Sequence, residues 1–228
     1  METIQEALII ANYKYTDPYI GQLTAPLRDA ADLAKVLKDP NIGEFKVREL
    51  IDKPNNDIQI AVEDFFNDRK REDLLLLYFS GHGIKDETGQ LYLASPNTNR
   101  KSLRSTAISS RFIFDVLKTC RSNRVVMVLD CCYAGAFPRG KASKGDKRVE
   151  ARSLLGGKGR VALTASDEME YSFEGDEIIG AGKQSIFTRA LIQGLQSGEA
   201  DLDGDGYVYV GDLYEYARDK IRNEKPEM

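Results

Sequence analysis

Two apolar runs that each end abruptly in reactive residues constrain this chain more than any other feature. Val125–Leu129 is unbroken apolar sequence, β-branched at three positions. Leu74–Phe79, LLLLYF, is a second run of the same kind. Continuous apolar runs of this length suit strands covered on both faces, as in a parallel sheet. Asp130, Cys131 and Cys132 follow the first run, and Gly135 lets the chain turn away; Ser80, Gly81, His82 and Gly83 follow the second. In open α/β sheets, ligands bind outside the carboxyl ends of the strands. Taken alone, the first run also fits a strand that closes in two core cysteines, since free cysteine is often buried.

His82 is the chain's one histidine. A lone histidine is usually a satisfied core or surface residue, but packing does not call for an imidazole between two glycines at a strand end. If the two strands are parallel neighbours, His82 and Cys132 share one sheet edge. A thiol beside an imidazole can give up its proton, and the thiolate is then a nucleophile whose imidazolium partner protonates a leaving amine. The amides of Gly83 and Cys132 are candidates to stabilise an oxyanion. The glycines flanking His82 suit close approach by another backbone.

The segments SGHG at 80–83 and DCCYAG at 130–135, about 50 residues apart, give the chain its likeness to known proteins. It resembles the caspase-like cysteine peptidases, above all their bacterial and metacaspase-like members. The likeness runs from ALIIANY near the start to SIFTRALIQGL at 185–195. It implies that Cys132 is the nucleophile, His82 its base, and Cys131 a packing residue. Ala134 departs from the pattern, which more often has Ser there. The resemblance also places Asp29 in the specificity pocket of metacaspases; read from sequence alone, Asp29 is a solvated first-turn carboxylate favouring the helix dipole. By the same comparison, Leu23 replaces the arginine of Asp-cleaving caspases and Asp130 replaces a neutral Gln. Two carboxylates near the pocket attract Arg or Lys and repel Asp, and Arg's planar fork fits two carboxylates better. The expectation is a cysteine endopeptidase acting on protein or peptide substrates after Arg, less well after Lys. In such proteins the region matching 138–159 is often cut during maturation. Here it holds Arg139, Lys141, Lys144, Lys147, Arg148 and Arg152; a merely solvated loop is the alternative.

Strands at 7–11, 45–51, 73–79, 124–130 and 160–166 alternate with helices. The pattern predicts an α/β chain, a three-layer α/β/α sandwich on a mostly parallel sheet, and the resemblance adds a sixth strand. Pro26 opens a helix with Leu27, Ala30, Ala31, Ala34 and Leu37 on one face. Asn55 or Asn56 caps a second, through Ile58, Val62, Phe65 and Phe66, ending in the basic run Arg69–Arg71. Ser109 or Ser110 starts a third, which puts Cys120 on an apolar face, and Gln184–Leu195 is a fourth. The 228 residues, 42% hydrophobic, are read as a single domain over 1–228. A net charge of −4 gives no sign of nucleic-acid binding. Three cysteines with one histidine make neither a disulfide framework nor a structural zinc site. The start has no signal-peptide pattern and no run long enough to span a bilayer, so no membrane is expected and the expected location is cytoplasmic.

Asp201–Asp212, DLDGDGYVYVGD, sits between two helical patterns. Asp201, Asp203 and Asp205 stand at positions 1, 3 and 5 of an EF-hand-like loop, Gly206 at 6, Tyr207 with its carbonyl at 7, and Asp212 at 12. Aspartate at the last position, where Glu is usual, predicts a weaker Ca²⁺ site or one that takes Mg²⁺. The chemistry at Cys132 needs no cofactor, though calcium could influence it. Two rivals remain: a signalling receiver with Asp130 as phospho-acceptor, which lacks an acidic pair after the first strand, and a catalytically silent caspase-like scaffold. A regulatory partner or fused module is a further expectation drawn from the resemblance. A nucleotide-binding reading fails for want of a phosphate loop.

Overall fold

The apolar runs become the central strands because both of their faces find a layer of helices. The computed structural model describes residues 3–131, 152–153, 159–164 and 184–224. In chain order the elements are β1 (Gln5–Ala11), α1 (Ala25–Lys38), β2 (Lys46–Ile51), α2 (Asn55–Phe66), β3 (Leu74–Ser80), β4 (Gly83–Lys85) and β5 (Leu91–Leu93). A 3₁₀ turn (Arg100–Ser102) leads into α3 (Leu103–Thr106), β6 (Ile108–Ser109), α4 (Ser110–Thr119), β7 (Arg124–Asp130), β8 (Arg152–Ser153), β9 (Arg160–Thr164), α5 (Ile186–Ser197) and α6 (Val210–Glu224).

The main sheet has the order β2-β1-β3-β7-β9-β8. Its first five strands are parallel, and β8 is antiparallel to β9. Side chains alternate across it, as the pleat requires. Leu75, Leu77, Phe79, Val125, Met127 and Leu129 pack with α2 and α4. Tyr78 and Val128 face α1, α5 and α6 with Ala7, Ile9 and Ala11. The result is the expected three-layer α/β/α sandwich, with the sixth strand present. A second, antiparallel sheet, β4-β5-β6, grows from the end of β3. No helix among the described residues is long and apolar enough to cross a membrane.

Several local expectations need correcting. On α1 the buried face is Pro26, Asp29, Ala30, Leu33, Ala34, Val36 and Leu37, whereas Leu27 and Ala31 are exposed. The register is rotated because a carboxylate, Asp29, occupies a core position. Helix α2 stops at Phe66, short of the basic run, yet Arg69 still reaches back to donate to the Phe65 carbonyl at 2.5 Å and pairs with Glu6. That is the helix-end role expected of a cation. Ser109 caps α4 by accepting from Phe112 N–H, and Cys120 is buried as expected. The last two residues of the predicted strand at 160–166, the acidic stretch 166–182, and loop 138–159 apart from β8 and Gly159 lie outside the described residues.

At the opposite edge from the reactive residues, one side chain gathers several loose carbonyls. The Arg160 guanidinium donates to the carbonyls of Leu117 (2.9 Å), Cys120 (2.5 Å) and Ser122 (2.6 and 2.9 Å). It thereby satisfies the C-terminal end of α4 and fastens it to the start of β9. Arg160→Met keeps the stem but removes every donor. We expect it to destabilise the fold by about 2 kcal/mol or more, seen as a lower denaturant midpoint at unchanged slope.

Candidate active site

The end of β3 lies beside the end of β7: Ser80 is the register partner of Asp130, and Gly81 N–H reaches the Asp130 carbonyl at 3.4 Å. His82 therefore leaves the sheet two residues past Ser80, on the edge from which the chain continues to Cys131 and Cys132. Cys131 is 7% exposed, in the core cluster beneath that edge, in keeping with a packing role. Cys132 itself lies outside the described residues.

His82 is half-buried and held on three sides. Its Nε2 lies 2.8 Å from the Gly21 carbonyl. A carbonyl only accepts, so Nε2 carries the proton and the Nδ1 lone pair is left open. Burial holds the imidazole below its ordinary pKa, and the Gly21 carbonyl partly offsets this. The ring is neutral at pH 7, ready to take a proton. Its backbone N–H donates to the Tyr15 hydroxyl at 3.1 Å, and the two ring centroids are 5.0 Å apart. Gly81, expected to leave room for another backbone, serves the interior instead. At φ +157° a Cβ there would meet Phe79 and the Tyr15 hydroxyl at 3.0 Å and the Asn12 carbonyl at 3.2 Å.

Gly83 begins β4 opposite Leu93. Because Ala94 N–H donates to the His82 carbonyl, Gly83 and Leu93 form a non-hydrogen-bonded pair, and the Gly83 amide turns away from β5. It is an available donor beside His82.

The acidic residues converge as well, but not in solvent. Asp29 is fully buried, which overturns its reading as a solvated first-turn carboxylate. Both its oxygens accept from Ser185 N–H, at 3.1 and 3.3 Å. Asp130 accepts from the Thr188 hydroxyl at 2.6 Å and also bonds the Ser185 side chain. Since Thr188 spends its one proton on Asp130, Tyr78 must donate to Thr188 across their 2.8 Å contact. The two carboxylates thus sit at the N-terminus of α5, where the helix dipole favours negative charge. Burial, then the nearby Asp130, push Asp29 up to about 8. Burial raises Asp130 too. Leu23, in the loop after β1, packs against the small cluster of Tyr15, Ile20 and Ala94.

In the 201–212 loop, carboxylate oxygens of Asp201, Asp203 and Asp205 lie within 4.8 Å of one another. Gly206 takes φ +89°, and its N–H, like those of Gly204 and Asp205, donates to Asp201. Tyr207 N–H donates to Asp205, and its side chain is exposed. Asp212 falls in the first turn of α6, outside the three-carboxylate group.

Sequence reasoning missed Tyr15, Gly21, Ser185 and Thr188. Ser185 had a signal, as a capping-type residue just before an apolar helix. The others had none, because their roles are set by contacts over long sequence distances.

A family model described as the caspase domain matches residues 5–227. No curated protein matches the chain.

Asp29 yields a pH prediction. Its folded carboxyl keeps a proton up to about 8, whereas the unfolded one loses it near ~4. Its contribution is complete below the unfolded value and is lost as pH rises through the folded one. Thermal midpoints of the wild type should therefore fall from pH 5 to pH 9 more steeply than those of Asp29→Asn, which never ionises.

Proposed function

The chain belongs to the caspase-domain family of cysteine peptidases, and on that premise we propose that it is an endopeptidase in which His82 and Cys132 act as a dyad, cutting after Arg and less well after Lys. The observation that carries this reading is the Ser80–Asp130 register, which ends at one edge the two strands that His82 and Cys132 follow in sequence. The Cys132 thiol gives its proton to Nδ1 of His82, and the thiolate attacks the scissile carbonyl. The oxyanion is met by the amides of Gly83 and Cys132. Imidazolium then protonates the leaving amine, and water, deprotonated by His82, releases the acyl group.

The basic preference rests on Asp29 and Asp130. Where Asp29 holds a proton at neutral pH, an arriving guanidinium favours its loss, so an Arg side chain binds better as the pair ionises. Self-processing within 138–159 belongs to the same proposal, because that segment is rich in basic residues. The test is an Arg-containing fluorogenic peptide set. Wild type should turn it over, while Cys132→Ala and His82→Ala should not. KM for Arg peptides should fall as pH rises toward about 8, and Asp29→Asn should raise that KM about tenfold or more. Turnover of Asp-type peptides without Arg-type ones would reverse the specificity. No turnover of any peptide by a folded chain would leave the silent scaffold.

We also propose that the 201–212 loop binds Ca²⁺, or Mg²⁺ in its place, through Asp201, Asp203, Asp205, the Tyr207 carbonyl and Asp212. The support is the grouping of three carboxylates around a glycine turn. Calcium at tenfold excess over Kd should add about 1.4 kcal/mol of stability. This reads as a raised melting temperature that Asp203→Asn abolishes; no shift at millimolar calcium removes the site.

A further inference from the structure

The loop between β1 and α1 supplies two of the groups that hold His82, Tyr15 and Gly21, and a single side chain ties them together. Gln22 reaches back over seven residues to the main chain of Tyr15. Its Oε1 accepts Tyr15 N–H at 3.0 Å and its Nε2 donates to the Tyr15 carbonyl at 2.8 Å. The two partners fix the amide's orientation, since an N–H needs the oxygen and a carbonyl needs the nitrogen. Burial keeps the Tyr15 phenol neutral. Its hydroxyl donates to the Asn12 carbonyl at 2.7 Å while accepting the His82 backbone N–H. Gly21, next to Gln22, has no side chain with which to anchor its own carbonyl, yet that carbonyl holds Nε2.

We propose that Gln22 is a positioning residue for His82: by clasping Tyr15 it sets the Gly21 carbonyl against Nε2 and so keeps Nδ1 turned toward the incoming thiol. The inference rests on the reading of His82 as the catalytic base. Gln22 touches neither thiol nor peptide; it acts through the loop. Leu23 N–H still bonds the Tyr13 carbonyl at 2.9 Å, so loss of the clasp loosens the turn without releasing it. Gln22 is itself exposed, and its replacement leaves the core intact.

The single histidine makes the test direct, because every imidazole signal in the full-length protein is His82. In Cys132→Ala, where no thiol can protonate the ring, the bonded Nε2 proton should give a slowly exchanging signal by ¹⁵N–¹H NMR at neutral pH. Adding Gln22→Met should abolish that signal, and Gln22→Glu, which keeps the acceptor for Tyr15 N–H, should restore part of it. In the chain with Cys132 intact, Gln22→Met should lower kcat about tenfold to a hundredfold, with KM and melting temperature little changed. Absence of the signal before Gln22 is changed, its full survival in Gln22→Met, or its loss with unchanged kcat would each overturn the proposal. If the signal depends on Gln22 but no variant cleaves peptide, the clasp on the ring stands and the peptidase reading falls.

Discussion

The parallel pairing of β3 with β7 is the constraint on which the rest depends. Seven residue pairs run from Leu74–Arg124 to Ser80–Asp130 without a bulge. Because side chains alternate with period two, a slip of one residue would turn Leu75, Leu77 and Phe79 from the α2–α4 layer toward α1 and α5. Both faces of these strands are packed, so either direction of slip opens two cores at once. The apolar packing therefore fixes which residues stand together at the sheet's end, and the chemistry inherits that alignment. The strand order strengthens the point. β1 has β2 on one side and β3 on the other, so the loops leaving β1 and β3 part at a topological switch, where α/β sheets open a crevice. His82 leaves β3 at that switch, and the loop that holds it leaves β1.

The second organising feature is electrostatic. Asp29 from α1 and Asp130 from β7 both address the N-terminus of α5. Burial first, and the neighbouring Asp130 second, raise Asp29, so the two carboxylates resist simultaneous ionisation. The helix end and the Tyr78–Thr188 relay relieve part of the strain, and a cation from outside would relieve more. The arrangement that joins α1, β7 and α5 is the one on which the proposed preference for a basic residue would draw.

How legible this was in the sequence depends on the range of the interaction. The strands could be read because apolar runs are local, and the start of β7 was placed at Arg124. The α2 face through Ile58, Val62, Phe65 and Phe66 was likewise visible in its period. The α1 face was misjudged because a hydrophobic pattern cannot foresee a buried carboxylate; Asp29 is paid for by Ser185, 156 residues away. His82 stood out as the sole histidine, but its partners did not. Gly21 acts through a backbone carbonyl, which every residue type possesses, and Tyr15 looks like any aromatic beside a strand. The antiparallel β4–β6 sheet was mostly missed because strands of two or three residues leave too short a pattern to recognise.

The supports of His82 differ in kind from those of the strand that carries it. β3 is held by buried apolar side chains, and opening it would require global unfolding. The Tyr15–Gln22 turn is held by a few part-buried hydrogen bonds, each worth about 1 kcal/mol net, and by only a small apolar cluster of Tyr15, Ile20 and Ala94. Segments with few apolar contacts open at far lower free energy than the core. The orientation of the imidazole is therefore less stable than its position. Asn12 lies at the junction of the two regimes: it is fully buried, its amide donates to the Ala94 carbonyl, and its Oδ1 has no hydrogen-bond partner among the described residues. On the proposed role of His82, activity would be gained or lost through the loop after β1 while the sandwich stays folded.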